Sequence, residues 1–399
     1  AGQTVLGKDL GRFVGTLWTE TVFGQDPLKF GQHSLVSNAH GWYLLYVKSD
    51  KQIVTLIITS GGAVRKMCVG SQSPEMDKLY ENVQKQGESV WEALARVLQE
   101  CDPARIAVDR SVWSGFCDGL SSTLFEQLKD SIDPCYCARI EDGEDLTVRW
   151  LERVTPLEKK IMKCFCEVTH AIIHYTFSSD FVVPGKTTTT DIEWCMRSII
   201  NELGYRYWFG PDVDLQRRGS SVSRMFDVTI EPGDLIHCDI GINGQYVQLH
   251  TDMQWVAYIL REGEKQVPQD LQALLDCGNR FRQIVMENMH VGKQGNAVFT
   301  AAMRQAKAEG IQPMLYSHPV GTFGHGAGPT IGLYTNQGFV PGTGERTIEE
   351  DTCFALELNV YDNISCWDGQ RVFMYLEENI CRAAENDYID GRQTKLLLI

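Results

Sequence analysis

Pro232-Gly233-Asp234-Leu235-Ile236-His237-Cys238-Asp239-Ile240-Gly241 reads as a turn followed by a strand with one carboxylate, Asp239, inside its apolar run. An ionised carboxylate in such a place is costly unless it is paired or bound to a cation. A second strand follows, ending at Thr251-Asp252 ahead of Met253-Gln254-Trp255-Val256-Ala257-Tyr258. If the two strands are adjacent and antiparallel, Asp239 and Asp252 come face to face. Two close carboxylates repel unless a proton or a cation lies between them.

The pattern recurs toward the C-terminus. Phe354-Ala355-Leu356-Glu357-Leu358 and Phe373-Met374-Tyr375-Leu376-Glu377 each carry a glutamate in an apolar strand. Taken singly, each of the four acids suits a satisfied core carboxylate or a strand edge facing water. Together, four buried anions in one core need cations. Between the aspartate pair and the glutamate pair lies Ser317-His318-Pro319-Val320-Gly321-Thr322-Phe323-Gly324-His325-Gly326-Ala327-Gly328. Its glycines permit close backbone approach. It has neither G-x-G-x-x-G nor a Walker Lys-Ser/Thr, so it is not a nucleotide loop. Two histidines in such a loop, between two acid pairs, favour a functional role for His318 and His325.

Outward from this constellation the chain reads as two domains, 1–154 and 155–399. Thr155-Pro156-Leu157-Glu158 is a helix start, with a threonine cap, a first-turn proline and a glutamate that can reach back. A faint repeat follows. Pro184-Gly185-Lys186 precedes a helix from about Thr190 to Gly204, and Val291-Gly292-Lys293 precedes another that ends at Gly310. A duplicated α/β unit places a site between its halves. The first domain reads as mixed α/β, with strands at 41–47 and 53–59 joined by a polar turn, a helix over 76–100 and a short buried strand at 105–108. Nothing there gathers chemistry.

The 399 residues carry a formal net charge of −15, which argues against a nucleic-acid partner. No apolar run approaches the ~18 residues of a spanning helix, so no membrane partner is expected. The 13 cysteines are odd in number and do not read as a disulfide framework. Cys164 and Cys166 would be splayed about 200° apart on a helix. Free thiols in a reducing compartment are the expectation, hence a cytoplasmic protein. No signal peptide is visible, but the chain starts at Ala1, which leaves a removed leader and export open.

The order Asp239, Asp252, His318, Glu357, Glu377, with Thr187-Thr188-Thr189-Thr190-Asp191, His318-Pro319-Val320-Gly321 and Gly324-His325-Gly326-Ala327-Gly328-Pro329, resembles the pita-bread metallopeptidases of the creatinase, aminopeptidase P and prolidase type. The resemblance covers about 155–399, and 1–154 looks like the creatinase-type N-terminal domain. It implies an α/β (α+β) fold with pseudo-twofold duplicated units. It implies two divalent ions held by Asp239, Asp252, His318, Glu357 and Glu377, with Asp252 and Glu377 bridging. His325 would contact substrate and stabilise the oxyanion, and Glu357 would shuttle the proton from the attacking water to the leaving amine. The implied activity is removal of N-terminal residues or cleavage of dipeptides, of Xaa-Pro type. The substrate is a peptide with a free N-terminus, and a homodimer is the implied assembly. The donor set favours Mn²⁺, with Zn²⁺, Co²⁺ or Fe²⁺ as alternatives.

Two departures from the family pattern stand out. The Asp239–Asp252 interval is longer than usual, so that His250 falls at the usual position by counting. Asp252 is preferred for its Thr-Asp dipeptide, with the extra residues placed in an Asn243-Gly244 turn. The upstream substrate-facing histidine is also missing. Residues 211–224 offer Arg217, Arg218, Ser220 and Ser221 instead. A metal-free creatinase-like hydrolase and a non-catalytic peptide-binding protein are the competing readings.

Overall fold

The computed structural model describes residues 44–47, 54–60, 63–69, 81–244, 247–382 and 386–399. The chain divides into two compact units, Ala1–Trp150 and Leu151–Ile399.

In the first unit, strands β1 (Leu44–Val47), β2 (Val54–Ser60), β3 (Ala63–Val69), β4 (Glu81–Asn82), β5 (Ile106–Val108) and β6 (Ile140–Asp142) form one sheet in the order β4-β3-β2-β1-β5-β6. The turn expected at 48–52 lies outside the described residues. Among the described residues of this unit the α-helices are α1 (Val90–Cys101), α2 (Ser122–Ser131), α3 (Pro134–Cys137) and α4 (Glu144–Leu151). Of the helix read over 76–100, residues 76–80 lie outside the described residues, and 81–89 are not helical. Gly87 takes a left-handed φ of 83°, and Ser89 with Glu92 forms a capping box that starts α1 at Val90. The local cap, which satisfies the first free N–H groups, overrides the longer apolar periodicity.

The second unit repeats itself. Helix α5 (Pro156–Thr176) starts on the Thr155/Glu158 capping box and leads through a turn to α6 (Thr189–Glu202). Helix α7 (Gln269–Asn288) leads the same way to α8 (Gly295–Ala308). The two turns share a left-handed glycine and its backbone hydrogen bond. Gly185 and Gly292 have φ of 78° and 81°. Their N–H groups donate to the carbonyls of Ile230 and Ile348, each at 2.8 Å.

The strands of this unit are β7 (Tyr205–Tyr207), β8 (Asp212–Gln216), β9 (Leu235–Ile240), β10 (Ile242–Gly244), β11 (Met253–Tyr258), β12 (Pro313–Leu315), β13 (His318–Pro319), β14 (Thr352–Ala355), β15 (Leu358–Ile364), β16 (Gln370–Leu376), β17 (Asn379–Arg382), β18 (Asn386–Tyr388) and β19 (Leu397–Leu398). They make sheets ordered β19-β11-β9-β8, β12-β15-β16 and β13-β14-β17-β18, with β10 pairing β7. One core packs α5 and α6 on the first sheet through Met162, Ile192, Met196, Ile236, Cys238 and Ala257. The other packs α7 and α8 on β15 and β16 through Leu275, Phe281, Val360 and Met374.

Strand alternation decides what faces the middle. Ile236, Cys238 and Ile240 point into the α5/α6 core, so His237 and Asp239 point the other way. Met253, Trp255 and Ala257 do the same on β11, which turns Gln254 to the side of Asp239. The described cysteines are free thiols; Cys164 is exposed and Cys166 buried, as their helical spacing requires. No helix among the described residues is long and apolar enough to cross a membrane.

Candidate metal centre

The acids come from three crossings of the repeat. Strand β9 lies between β8 and β11, and its register sets Asp239 opposite Asp212 on one side and Gln254 on the other. Asp239 therefore does not face Asp252 directly. Strand β11 begins at Met253, and Asp252 sits just before it, one pleat away on the same face. The Asn243-Gly244 turn is also corrected, because both residues lie in β10, paired with Arg206 and Tyr205. Glu357 and Glu377 stand not inside strands but at junctions between them. Glu357 links β14 to β15 and Glu377 links β16 to β17. The junctions are held together by Leu356 N–H donating to the Glu378 carbonyl at 2.9 Å. The Ser317 hydroxyl clamps the first one, donating to the Glu357 carbonyl and accepting from its N–H, each at 3.0 Å.

His318 enters from β13, which pairs with Phe354 and Ala355 of β14. Its Nδ1 lies 3.0 Å from the Pro319 carbonyl, which can only accept. Nδ1 thus carries the proton, and Nε2 presents a lone pair. That lone pair faces Asp252 Oδ2 at 3.5 Å, Glu377 Oε1 at 3.7 Å and Glu357 Oε2 at 3.9 Å. Burial first, then neighbouring His325, brings the His318 pKa down to about 3, so the ring stays neutral. His318 Nε2, Glu377 Oε1 and Asp239 Oδ1 are buried without a hydrogen-bond partner.

The carboxylates show the same strain. Asp239 is pushed up to about 7, mainly by burial, with the His237 charge opposing. Burial and mutual repulsion raise Asp252, Glu357 and Glu377 well above the ordinary carboxylate range. Acceptors turned on acceptors in a dry space call for protons or for cations among them. Three sets of donor atoms fall within 4.8 Å of one another: Asp239, Asp252 and Glu377; His318, Glu357 and Glu377; and Asp252, His318 and His325. The residues present therefore fit divalent ions, with Asp252, His318 and Glu377 in two sets each.

His325 is exposed at the rim. Its ring lies 4.4 Å from that of His318 and 5.1 Å from Trp208, edge-on to both. His250 is not gathered with the acids. Its Nδ1 lies 3.0 Å from the Gly321 carbonyl, and burial lowers its pKa to about 4. It is a strut under the histidine loop.

Four residues join the site that sequence reading passed over. Gln254, 3% exposed, donates its amide to Glu357 Oε1 at 2.6 Å, Glu377 Oε2 at 3.0 Å and Asp239 Oδ2 at 3.4 Å. Its carbonyl oxygen lies 3.0 Å from His237 Nε2, and His237 Nδ1 lies 2.9 Å from Asp214 Oδ2. Arg224 closes the chain, donating to that same oxygen at 2.6 and 2.8 Å. The signal was there in the period of two: His237 shares a face with Asp239, and Gln254 with Asp252. Of the upstream residues, Arg217 is bound to Asp234 and Arg218 to Asp368, while Arg224 reaches the cavity. That cavity, about 500 Å³, runs from Glu357, His318 and His325 to Tyr316, Leu333, Tyr334 and Tyr375.

The family model for metallopeptidase family M24 matches residues 160–381. No curated protein matches the chain. Among solved structures, the X-Pro aminopeptidase from Thermotoga maritima MSB8 superposes with a TM-score of 0.59 at 13% identity, covering 93% of this chain and 100% of that one. The Xaa-Pro dipeptidase from Bacillus anthracis gives 0.59 at 15% identity, covering 90% and 95%. The prolidase from Pyrococcus furiosus gives 0.54 at 13%, covering 88% and 96%. At these identities the likeness speaks for the fold, which is the pita-bread fold. With more than half of its length matched by the family model, this chain belongs to metallopeptidase family M24.

Proposed function

We propose that the protein is a metal-dependent exopeptidase of Xaa-Pro type. It acts on peptides with a free N-terminus and holds two divalent ions, preferably Mn²⁺, between Asp239, Asp252, His318, Glu357 and Glu377. The observation that carries this reading is the lone pair of His318 Nε2 turned onto three carboxylates in a buried space. A neutral imidazole and four acids in that arrangement are a ligand set, not a salt bridge, because His318 has no proton to offer there.

Bound divalent ions would supply Lewis acidity and a water acidic enough to act as nucleophile near neutral pH. The protein residues do the rest. Glu357, half-buried at the cavity mouth, accepts the proton of the attacking water and returns it to the leaving amine. His325, at the rim beside His318, donates to the oxygen that becomes negative as the carbonyl is attacked. The acids that make the centre also attract the ammonium of a peptide N-terminus. The aromatic wall of Tyr316, Tyr334 and Tyr375 with Leu333 suits an apolar or prolyl residue next to the scissile bond.

The test is a peptide panel with added Mn²⁺, comparing Xaa-Pro with other N-termini and dipeptides with longer chains. Turnover should require the metal, favour Xaa-Pro, and vanish in Asp252→Ala and Glu377→Ala. Undiminished turnover by either purified variant would sink the assignment.

A further inference from the structure

Cys353 and Cys381 lie outside the metal centre, and nothing in the exopeptidase reading uses them. They stand directly opposite one another on β14 and β17. The hydrogen-bond alternation of the two strands shows what kind of pair they make. Leu356 N–H bonds the Glu378 carbonyl across the junction, so in this register the bonded pairs are Phe354 with Ile380 and Thr352 with Arg382. Cys353 and Cys381 fall between them, at a non-bonded position. The Cys353 carbonyl turns away accordingly and takes the Val320 N–H at 2.9 Å, on the β13 side. Opposed residues at such a position have Cα atoms ~4.5 Å apart, within the ~4.4–6.8 Å that a disulfide spans.

Both side chains point the same way, into the core under α5, and there the two thiols hydrogen-bond to one another. A third thiol nearby, Cys166, is engaged elsewhere, donating to Asn379 Oδ1 at 3.6 Å. The two opposed sulfurs are not equivalent. The contact from Cys353 and, against burial, the Lys159 ammonium hold the Cys381 thiol below its ordinary range, while burial pushes Cys353 well up. Lys159 is half-buried on the first turn of α5, so a single side chain separates the Cys381 sulfur from the surface. A thiolate beside a cation is the nucleophilic form of cysteine.

We propose that Cys353 and Cys381 are a redox-active pair, which a hydroperoxide converts to a cross-strand disulfide tying β14 to β17. The Cys381 thiolate attacks the peroxide, the O–O bond breaks, and the departing oxygen takes up the proton that Cys381 gave up. Cys381 is then a sulfenic acid. The Cys353 sulfur attacks it, the Cys353 proton goes to the leaving hydroxide, and water departs. Two thiols and one hydroperoxide thereby give one disulfide, one alcohol (water, from hydrogen peroxide) and one water. The tie closes four residues before Glu357 and four after Glu377, on the two strands that frame the carboxylate junctions.

The experiment uses full-length protein, reduced and then freed of reductant in the presence of chelator. It is exposed under native conditions to hydrogen peroxide, alkylated after denaturation, and mapped by peptide mass spectrometry. The wild-type peptides carrying Cys353 and Cys381 should appear joined, lighter by two hydrogens than their sum, and dithiothreitol should part them. In Cys353→Ala, Cys381 should stop at a sulfenic acid that dimedone traps. In Cys381→Ala, Cys353 should remain a free thiol. Alkylation of both cysteines in wild type, at a peroxide dose that oxidises the exposed Cys135 and Cys164, would overturn the inference. So would a link from either sulfur to Cys166. The wild-type map depends on no variant folding and reads only sulfur, so its failure would leave the metallopeptidase reading intact.

Discussion

Asp239→Asn gives the sharpest physical test of the buried cage, because it removes one charge and keeps the shape. In metal-free protein the folded pKa of Asp239 is about 7, against an ordinary 3.8, so the folded state binds this proton more tightly than the unfolded chain. A raised folded pKa contributes stability that is complete below about pH 4 and is lost as pH rises through about 7. At about 1.4 kcal/mol per tenfold, an acid shifted this far costs wild type about 4 kcal/mol at pH 8, as an upper figure. For a unit of this size that corresponds to roughly 10 °C in melting temperature. The assay is thermal unfolding of chelator-stripped wild type and Asp239→Asn at pH 4.5 and pH 8. The variant should melt well above wild type at pH 8, and the difference should shrink toward pH 4.5. Added Mn²⁺ should raise wild type at pH 8 by mass action and raise the variant less. Equal melting points at pH 8 in chelator would refute the argument that burial holds the Asp239 carboxyl above the ordinary carboxylate range.

Three further outcomes concern the histidine loop and the residues that pack against it. His250→Asn should leave Mn²⁺ content after dialysis unchanged while Asp252→Asn lowers it, because only Asp252 lies among the acids; metal analysis of the two variants checks this, and loss of metal from His250→Asn would reverse the assignment. Gly324→Ala should destabilise by about 1–3 kcal/mol and lower kcat/KM, since a Cβ there runs into the Trp208 indole that backs His325. Gly321→Ala, whose Cβ meets only Val154 at 3.6 Å, should be far milder in the same melt and turnover measurements.

The acids differ in how far they could be read from the chain. Asp239 is legible only in company: one carboxylate between Leu235 and Ile240 also suits a satisfied core acid, and it is the recurrence at Asp252, Glu357 and Glu377 that calls for cations. His318 and His325 are legible because glycines crowd around them. Gln254 is not, because a neutral amide in an apolar strand raises no electrostatic alarm. Its role depends on meeting Glu357 and Glu377, both more than 100 positions away. His237 was overlooked for the same reason. Next to Asp239 it reads as an ordinary polar residue, and only its contacts with Asp214 and Gln254 show it as the prop of the site. Counting leaves Asp252 and His250 both open. Both are buried, but His250 is bridged to Asn243 and bound to the Gly321 carbonyl, while Asp252 lies within reach of His318.

The sequence by itself determined the elements and their kind. Capping boxes at Thr155 and Thr188 start helices, glycines at 185 and 292 take the left-handed turns, and the period of two sorts each strand into a core face and a cage face. These are local effects, set by a few neighbouring residues, and so they can be read locally. Register and convergence belong to the tertiary structure. That Asp239 stands opposite Gln254 rather than Asp252, that the two glutamates meet at strand junctions, and that one amide serves three acids all depend on how two sheets and their helices close on one another. A one-residue slip of β9 would turn Asp239 into the hydrophobic core, and nothing within that strand alone forbids it. Burial of both faces, through the two cores on either side, is what forbids it.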